Sequence, residues 1–181
     1  MTRDEILEKA LDIVRDEGYD MLTISTLAES LGVKKASIYY YFSSKDEMIA
    51  ALYESFSARL LHMGFRMDFS KSAIEILTET FEHWKGIFIS KSLSSGLSLI
   101  EQRKEIDERA YEISNSLELM FRSQSDAVME NLVSRGHFRN VDSKIVAELF
   151  ASAAIVRLRS ERSEEDDRRF LNSFAELFLS T

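Results

Sequence analysis

The chain has 181 residues, enough for a hydrophobic core that needs no disulfide or metal to stabilise it. It contains no cysteine, which excludes a disulfide framework and a cysteine metal site, and no proline, so long uninterrupted helices are allowed. Its formal net charge of -8 argues against general electrostatic binding to nucleic acid or to anionic membrane, so any nucleic-acid contact must be local.

The N-terminal segment and the apolar stretches of the chain do not have the pattern of an export or membrane-spanning signal. The N-terminal segment carries charges every few residues, unlike a signal peptide, and charged side chains interrupt the longest apolar stretches. We therefore expect a soluble, cytoplasmic protein with no membrane partner.

Apolar side chains recur at helical spacing in the first part of the chain. This spacing predicts a helix over residues 4–17 that ends at Gly18. Thr23 is a suitable N-cap for a short second helix, which Gly32 closes. A further short helix is predicted over 35–42.

The rest of the chain is also predicted to be helical. Ser44, followed by Glu47, has the spacing of a capping box at the start of a long helix. Further helices are predicted over 74–88, 97–104, 107–134, 142–159 and from 163 onward, with a loose connection at 90–96. The expected fold class is therefore all-α, with about nine helices in two domains, 1–46 and 47–181.

The two short helices and the turn at Gly32 form a helix-turn-helix pattern, whose second helix would lie in the major groove of DNA. Two lysines and three successive tyrosines lie on or beside that helix, while Ile38 and Phe42 are four residues apart and face inward. A tyrosine suits a phosphodiester backbone because its hydroxyl donates to phosphate while its ring stays against apolar surface. Lys45 adds charge near the positive N-terminal end of the long helix.

A structural reading of the same residues stays open. The tyrosines would then be a half-buried aromatic cluster, with Tyr40 packed against the N-terminal domain, and the lysines would belong to a solvated turn. The combined pattern of lysines, tyrosines and helix spacing favours DNA binding.

At these residues the sequence resembles the tetracycline-repressor (TetR) family of transcriptional regulators. The resemblance covers about 40 residues without a gap. It runs through Ala10, Leu11, Gly18, Tyr19, Thr23, Ile24, Leu27, Ala28, Leu31, Gly32, Val33, Ile38, Tyr39, Tyr41, Phe42, Lys45 and Met48.

The resemblance implies a three-helix DNA-binding domain on a helical body that binds an effector and dimerises, with two recognition helices contacting a palindromic operator. Base edges would be contacted from the start of the recognition helix and phosphates from positions around it. Family members often carry a longer polar side chain at the position of Ser25. The predicted DNA-binding residues are Thr23, Ser25, Lys34, Lys35, Ala36, Ser37, Tyr39, Tyr40, Tyr41 and Lys45.

Residues 1–47 contain ten acidic and six basic side chains, a poor balance for a DNA-binding domain. Most of the acidic residues lie on the first helix and just after it, whereas Lys34, Lys35 and Lys45 all flank the recognition helix. We therefore expect the acidic side chains to lie away from the DNA groove.

By resemblance, residues 47–181 bind a small apolar or aromatic effector. The alternative is that their aromatic residues are ordinary core packing. Arg59, Arg66 and Arg103 are candidate partners for an acidic effector group. The predicted effector residues are His62, Phe65, Phe81, Trp84, Phe88, Tyr111 and Phe121.

The last two helices have apolar faces wide enough to cover a neighbour within the chain and a partner outside it. Two such pairs would form a four-helix bundle across a two-fold axis, giving a homodimer, and a bundle within one chain is the alternative. The predicted interface residues are Leu149, Phe150, Ala153, Val156, Phe170, Leu171, Phe174, Leu177 and Phe178.

An enzyme is a competing class with little sequence support. The chain contains no HExxH, P-loop or G-x-S-x-G motif, and its three histidines lack metal-ligand spacing, so we expect no cofactor and no metal. A helical small-molecule carrier or sensor that no longer binds DNA is the remaining alternative, since the acidic N-terminal domain would suit it.

Overall fold

The protein is described by a computed structural model covering residues 1–160 and 162–179. Those residues form nine α-helices and one short 3-10 turn, Tyr19–Met21, which confirms the all-α prediction. None of the described helices is long and apolar enough to cross a membrane. The helices are α1 (Arg3–Glu17), α2 (Ile24–Ser30), α3 (Lys35–Tyr39), α4 (Lys45–Met63), α5 (Ala73–Ile89), α6 (Lys91–Arg103), α7 (Glu108–Ser134), α8 (Ser143–Leu158) and α9 (Glu164–Phe178).

Four of the predicted helix starts are confirmed by side-chain caps. Thr23, Ser44, Asp142 and Ser163 each accept a hydrogen bond from a backbone N–H in the first turn of the helix that follows. These short polar side chains satisfy donors that the helix itself leaves free, so the sequence signal and the structure agree.

Two predicted helix boundaries are wrong. The recognition helix α3 ends at Tyr39 rather than at 42, and the segment 90–96, predicted as a loose connection, is the first half of α6. Ser95 and Gly96 are buried there, and the Ser95 hydroxyl donates to the carbonyl oxygen of Lys91 at 2.7 Å. Small residues that resemble a linker in the sequence instead allow a neighbouring helix to pack closely.

Residues 1–64 and 89–115 form one compact unit. In it α6 packs against α1 and α4. Val14 and Ile100 are among its buried side chains. The approach of α4 is close: a Cβ atom on Gly96 would lie 2.3 Å from Cδ2 of Phe56.

The described residues of 65–88 and 116–181 form a second compact unit. Its core is aromatic: the Trp84 ring lies 5.0 Å from the Phe121 ring and 5.6 Å from the Phe150 ring, measured between centroids. Trp84 donates its indole N–H to Oε1 of Gln124 at 2.6 Å, so the one polar atom of this buried ring is satisfied. The domain boundary predicted near residue 46 stays a prediction.

Candidate nucleic-acid interface

The start of α2 holds the Thr23 hydroxyl on the surface. The Thr23 hydroxyl oxygen accepts from the backbone N–H of Thr26 at 3.1 Å, and the Thr26 hydroxyl donates to the carbonyl oxygen of Met21 at 2.6 Å. The Thr26 proton is therefore committed, so in the 3.1 Å contact between the two hydroxyls the exposed Thr23 hydroxyl is the donor, and a phosphate contact would require it to change its acceptor. Ser25, two residues further along the chain, is also exposed.

The turn between α2 and α3 depends on one glycine. Gly32 has a φ of 66°, in the left-handed region that favours glycine, and its N–H donates to the carbonyl of Glu29 at 3.0 Å. Val33 N–H then donates to the carbonyl of Ala28 at 2.9 Å. These two bonds close α2 and direct the chain into α3.

The inward face of α3 anchors it to the rest of the unit. Ile38 and Phe42 are completely buried, as the spacing predicted, and the Arg3 guanidinium lies 5.0 Å from the centre of the Phe42 ring. Burying these two side chains fixes which face of the short helix points outward.

Two exposed lysine side chains, Lys34 and Lys35, lie at the start of α3. Lys34, Lys35 and Ala36 are exposed, and Ser37 is half-buried. No acidic side chain in residues 1–160 and 162–179 forms an ion pair with either lysine. Their charges are therefore available to an anionic partner.

The three tyrosines point in different directions. Tyr39 is 52% exposed and Tyr40 84% exposed, so Tyr40 does not pack into the domain as the structural alternative required. Tyr41 is half-buried, touches Tyr40 edge-on and donates its hydroxyl hydrogen to the carbonyl oxygen of Met1 at 2.7 Å. A phosphate contact from Tyr41 would require that hydroxyl to change its acceptor.

Lys45, the first residue of α4, is half-buried beside Tyr19. Its ammonium lies 4.0 Å from the centre of the Tyr19 ring, and no described carboxylate forms an ion pair with it. Burial first, and then the positive charge of Arg103, lower the pKa of Lys45 below its ordinary value.

Acidic side chains of α1 are largely engaged with cations within the same unit. Asp12 pairs with Arg15 at 3.0 Å and with Lys91 at 3.0 Å, and Glu8 approaches Arg59 at 3.6 Å. The excess negative charge of the N-terminal domain is thus partly neutralised by cations other than Lys34 and Lys35.

Comparison with known proteins finds a family model that matches the N-terminal part of the chain. Residues 6–52 match the family model of bacterial regulatory proteins, tetR family, a stretch that contains every predicted DNA-binding residue. The matched stretch is the N-terminal part of the chain, which is similar to TetR-family regulators.

Curated relatives of this chain include IcaR, the HTH-type negative transcriptional regulator of the biofilm operon icaADBC. The protein from Staphylococcus aureus strain Newman is 42% identical over 43 residues, 24% of this chain and 23% of the relative. The protein from Staphylococcus epidermidis is 35% identical over 46 residues, 25% of each chain. The match therefore spans only about a quarter of the length of these relatives.

Solved TetR-family structures match almost the whole chain. PfmR from Thermus thermophilus superposes with a TM-score of 0.71 at 23% identity, covering 97% of this chain and 96% of that one. A TetR regulator from Haloarcula marismortui gives a TM-score of 0.66 at 20% identity, covering 98% of both. At these identities the likeness shows a shared fold.

The predicted effector residues do not form a single group. Phe81, Trp84 and Phe121 are buried in the core of the second unit, and Phe88 stacks on Phe121 with ring centres 6.3 Å apart. Phe65, in the same unit, contacts the ring of His83 at 5.2 Å. His62 and Tyr111 are exposed and belong to the first unit.

Three cavities are lined by described residues, and none of the seven predicted effector residues lines them. The largest of these, about 470 Å³, lies between α5 and α9 and has a mixed lining that includes Thr78, Asp167 and Asn172. No group of three or more metal-ligating side chains lies within the part of the chain that the structure describes.

The predicted interface residues divide into an outer and an inner set. Leu149, Val156 and Leu177 are 54%, 61% and 63% exposed, whereas Phe150, Leu171 and Phe174 are buried in the unit. The half-buried members are Ala153, Phe170 and Phe178. Of the predicted set, only the exposed residues are accessible to a partner, whereas the buried ones belong to the core of the second unit.

Sequence reasoning missed one member of this exposed face. Ile145 is 59% exposed and lies one helical turn before Leu149 on α8. Ile145 lies four residues before Leu149 and eleven before Val156, spacings that place all three side chains on one face of a helix, and this pattern could have identified it.

Proposed function

We propose that the protein is a transcriptional regulator that binds a palindromic DNA operator as a homodimer, through α3, and represses transcription until a small apolar or aromatic effector releases it. The observation that carries the proposal is the surface around α3. Lys34 and Lys35 are exposed and have no ion-pair partner among the described residues, and Tyr39 and Tyr40 are exposed beside the completely buried Ile38. Lysine and tyrosine side chains of this kind contact the phosphates of a DNA duplex, and these contacts position the recognition helix in the major groove.

Repression is the proposed direction of control. It rests on the relatives, since IcaR is named a negative regulator and its matched stretch is 42% identical. A bound dimer that blocks transcription needs no contact with other proteins, so the surface described above is sufficient for it.

The homodimer is proposed to form through the exposed apolar face of α8 and α9. Ile145, Leu149, Val156 and Leu177 are each more than half exposed. A face of this kind loses contact with water when a second copy covers it, and a two-fold axis would pair each residue with its counterpart. In such a dimer the two α3 helices would have to lie about 34 Å apart to reach successive turns of one DNA groove.

An effector is proposed to bind in the second unit beside the aromatic residues of α5 and α7. Trp84 and Phe121 are fully packed, so a ligand there would have to displace neighbours such as Phe88, which is half-buried. Trp84 is the only tryptophan in the chain, so its fluorescence reports directly on that region. A compound that shifts the Trp84 emission and also weakens DNA binding would identify itself as an effector.

A carrier that no longer binds DNA was suggested by the acidic N-terminal domain. The ion pairs of Asp12 with Arg15 and Lys91, and of Glu8 with Arg59, reduce the weight of that argument. No described feature favours the carrier over the regulator.

Selection of duplex DNA by the purified protein tests the proposed function. The full chain is mixed with fragments of the source genome at moderate salt, and bound fragments are sequenced. We expect enrichment of a palindromic site, weakened retention with Tyr39→Ala or Lys45→Ala, and retention unchanged with Leu61→Ala, an exposed residue of the same unit. Failure of the wild-type chain to retain any sequence would favour the carrier.

A further inference from the structure

We propose that Tyr19 is a positioning residue for the DNA contact of Lys45, and that the last turn of α6 in turn holds Tyr19 in place. The inference rests on the proposed function, because it assumes that Lys45 meets a phosphate. It adds a residue outside the helix-turn-helix surface to the DNA-binding machinery.

Among the described residues the Lys45 ammonium has no ion-pair or hydrogen-bond partner, although Asp20 and Asp46 lie close enough to act on its charge. A lysine side chain has a flexible four-carbon stem, and holding it in one place costs conformational entropy. No described carboxylate forms an ion pair with Lys45, and the nearby Arg103 carries the same charge. The face of the Tyr19 ring, 4.0 Å from the Lys45 ammonium, is the contact that holds it.

A ring is well suited to this task because it leaves the ammonium its donors. A carboxylate partner would neutralise Lys45 and compete with phosphate, whereas the ring attracts the cation and leaves its charge available. Tyr19 therefore fixes the place of the charge without cancelling it.

The backbone at Tyr19 is held by Gln102, the second-last residue of α6. The Tyr19 N–H donates to Oε1 of Gln102 at 2.8 Å, and Nε2 of Gln102 donates to Ser98 Oγ at 2.9 Å and to the Val14 carbonyl at 3.4 Å. The preceding residue, Gly18, has a φ of 95°, so the chain can turn sharply into this contact. Gln102 thus links α6 both to Val14 of α1 and to the backbone of Tyr19, which follows that helix.

The ring of Tyr19 is held by Arg103, the last residue of α6. The Arg103 guanidinium carbon lies 4.3 Å from the ring centre, so one ring contacts two cations. Arg103 is itself paired with Asp107 at 3.4 Å. All of these residues belong to the first unit, so the whole series of contacts lies within one compact part of the chain.

The hydroxyl of Tyr19 is not needed for this role. No hydrogen bond to it exists among residues 1–160 and 162–179. The chain therefore offers a matched pair of variants: Tyr19→Phe keeps the ring face, and Tyr19→Leu keeps apolar volume but removes the ring.

The experiment measures operator affinity against salt for the full chain. A contact that neutralises one phosphate contributes about 0.9 to the slope of log affinity against log salt. We expect Tyr19→Leu to weaken binding about 2- to 30-fold, the range of one cation–ring contact, and to lower the slope as Lys45→Ala does. Tyr19→Phe should retain both the affinity and the slope.

Double variants separate positioning from a purely structural role. In the Lys45→Ala background, Tyr19→Leu should weaken DNA binding no further, because there is no ammonium left to position. Gln102→Ala, which alters an exposed side-chain contact on α6, should lower the affinity of the wild-type chain and have no effect beside Lys45→Ala. This variant serves as the test if Tyr19→Leu does not fold.

The outcomes distinguish the two proposals. Wild-type retention of an operator together with an unchanged slope in Tyr19→Leu and Gln102→Ala would overturn the positioning role and leave the regulator intact. Further weakening by Tyr19→Leu beside Lys45→Ala would also overturn it. If the wild-type chain binds no DNA at all, the regulator proposal fails and the positioning role falls with it.

Discussion

Tyr53 of α4 donates its hydroxyl hydrogen to Oδ2 of Asp107, with 2.9 Å between the oxygens. The other carboxylate oxygen, Oδ1, accepts from the backbone N–H groups of Arg109 and Ala110 at 3.1 and 3.3 Å. Arg103, at the end of α6, approaches Oδ2 at 3.4 Å. One carboxylate therefore joins α4, the end of α6 and the start of α7 in the first unit.

Removing the Tyr53 hydroxyl should destabilise the first unit. Tyr53→Phe keeps the buried ring but takes one donor from a charged, mostly buried carboxylate. Hydrogen bonds to charged groups contribute about 1.5–3 kcal/mol, so we expect a loss of that size in the free energy of unfolding at pH 7. Urea unfolding measures it, and Tyr111→Phe, which alters a 56% exposed tyrosine, is the matched control.

The effect of Tyr53→Phe should depend on pH. Burial by itself would raise the pKa of Asp107, but hydrogen bonds from Tyr53, Ala110 and Arg103 outweigh it and lower that pKa below its ordinary value. A carboxyl whose pKa is lowered by folding stabilises the protein above its unfolded pKa, about 3.9, and loses that contribution as pH falls through the folded pKa. The difference between wild type and variant should therefore shrink below about pH 4, and a difference that is the same at pH 3 and pH 7 would contradict this.

Gly96 should not tolerate a methyl group. Its added Cβ would lie 2.3 Å from Cδ2 of Phe56, which is only 2% exposed, so one of the two helices would have to move. Overpacking of this kind costs about 1–3 kcal/mol, although alanine is intrinsically the better helix former by about 1 kcal/mol. We expect Gly96→Ala to lower the midpoint of chemical unfolding.

Phe56→Leu provides the control for the clash at Gly96. Each single variant should destabilise the protein, but the double variant should lose less than the two losses added together, because the smaller side chain makes room for the methyl group. Strictly additive losses would show that the two residues do not oppose each other.

The N-terminal elements could be predicted because their signals are local. Thr23 and Ser44 cap the helices that follow them, and Gly32 closes α2, so three residues define the two ends of α2 and the start of α4. The burial of Ile38 on α3 also follows from spacing alone, whereas spacing left open the exposure of Tyr40, the residue after that helix. The end of α3 could not be predicted so closely, because the residues after Tyr39 have helical spacing but leave the helix.

Other features depend on tertiary contacts that the sequence does not encode locally. The segment around Gly96 has the composition of a linker, and only the approach of Phe56 explains why small residues are required there. The contact of Lys45 with Tyr19 joins residues 26 positions apart, and Arg103 reaches the same ring from a third helix. Sequence spacing indicates faces of helices, whereas these pairings require the fold.

A charge on the exposed face of α8 should dissociate the proposed homodimer. Leu149→Glu places an acidic group on that face, where a partner that covers it would strip it of water. We expect the dimer to weaken by about 3 kcal/mol or more, seen as monomers in sedimentation at micromolar protein. Leu61→Glu, a similar change at an 84% exposed residue of the first unit, should leave the dimer intact.

The two kinds of DNA contact predict different consequences for Lys35 and Lys45. Lys35 is exposed at the start of α3, from which base edges would be reached, so Lys35→Ala should cost about 1–3 kcal/mol on the preferred operator and relax sequence preference. Lys45 is proposed to contact phosphate, so Lys45→Ala should weaken all sequences alike and lower the salt slope by about one. Titrations of each variant against the selected operator and single-base changes of it, at several salt concentrations, measure both effects.

Lys9→Ala is the charge control for that comparison. It removes one positive charge from the same unit, on α1, away from the recognition helix in the chain. Lys9 is half-buried, and because salt screens charges over about 8–10 Å at physiological concentration, this variant should change affinity and slope little. An equal loss across all operators for both Lys35→Ala and Lys45→Ala would contradict the assignment of base contact to one lysine and phosphate contact to the other.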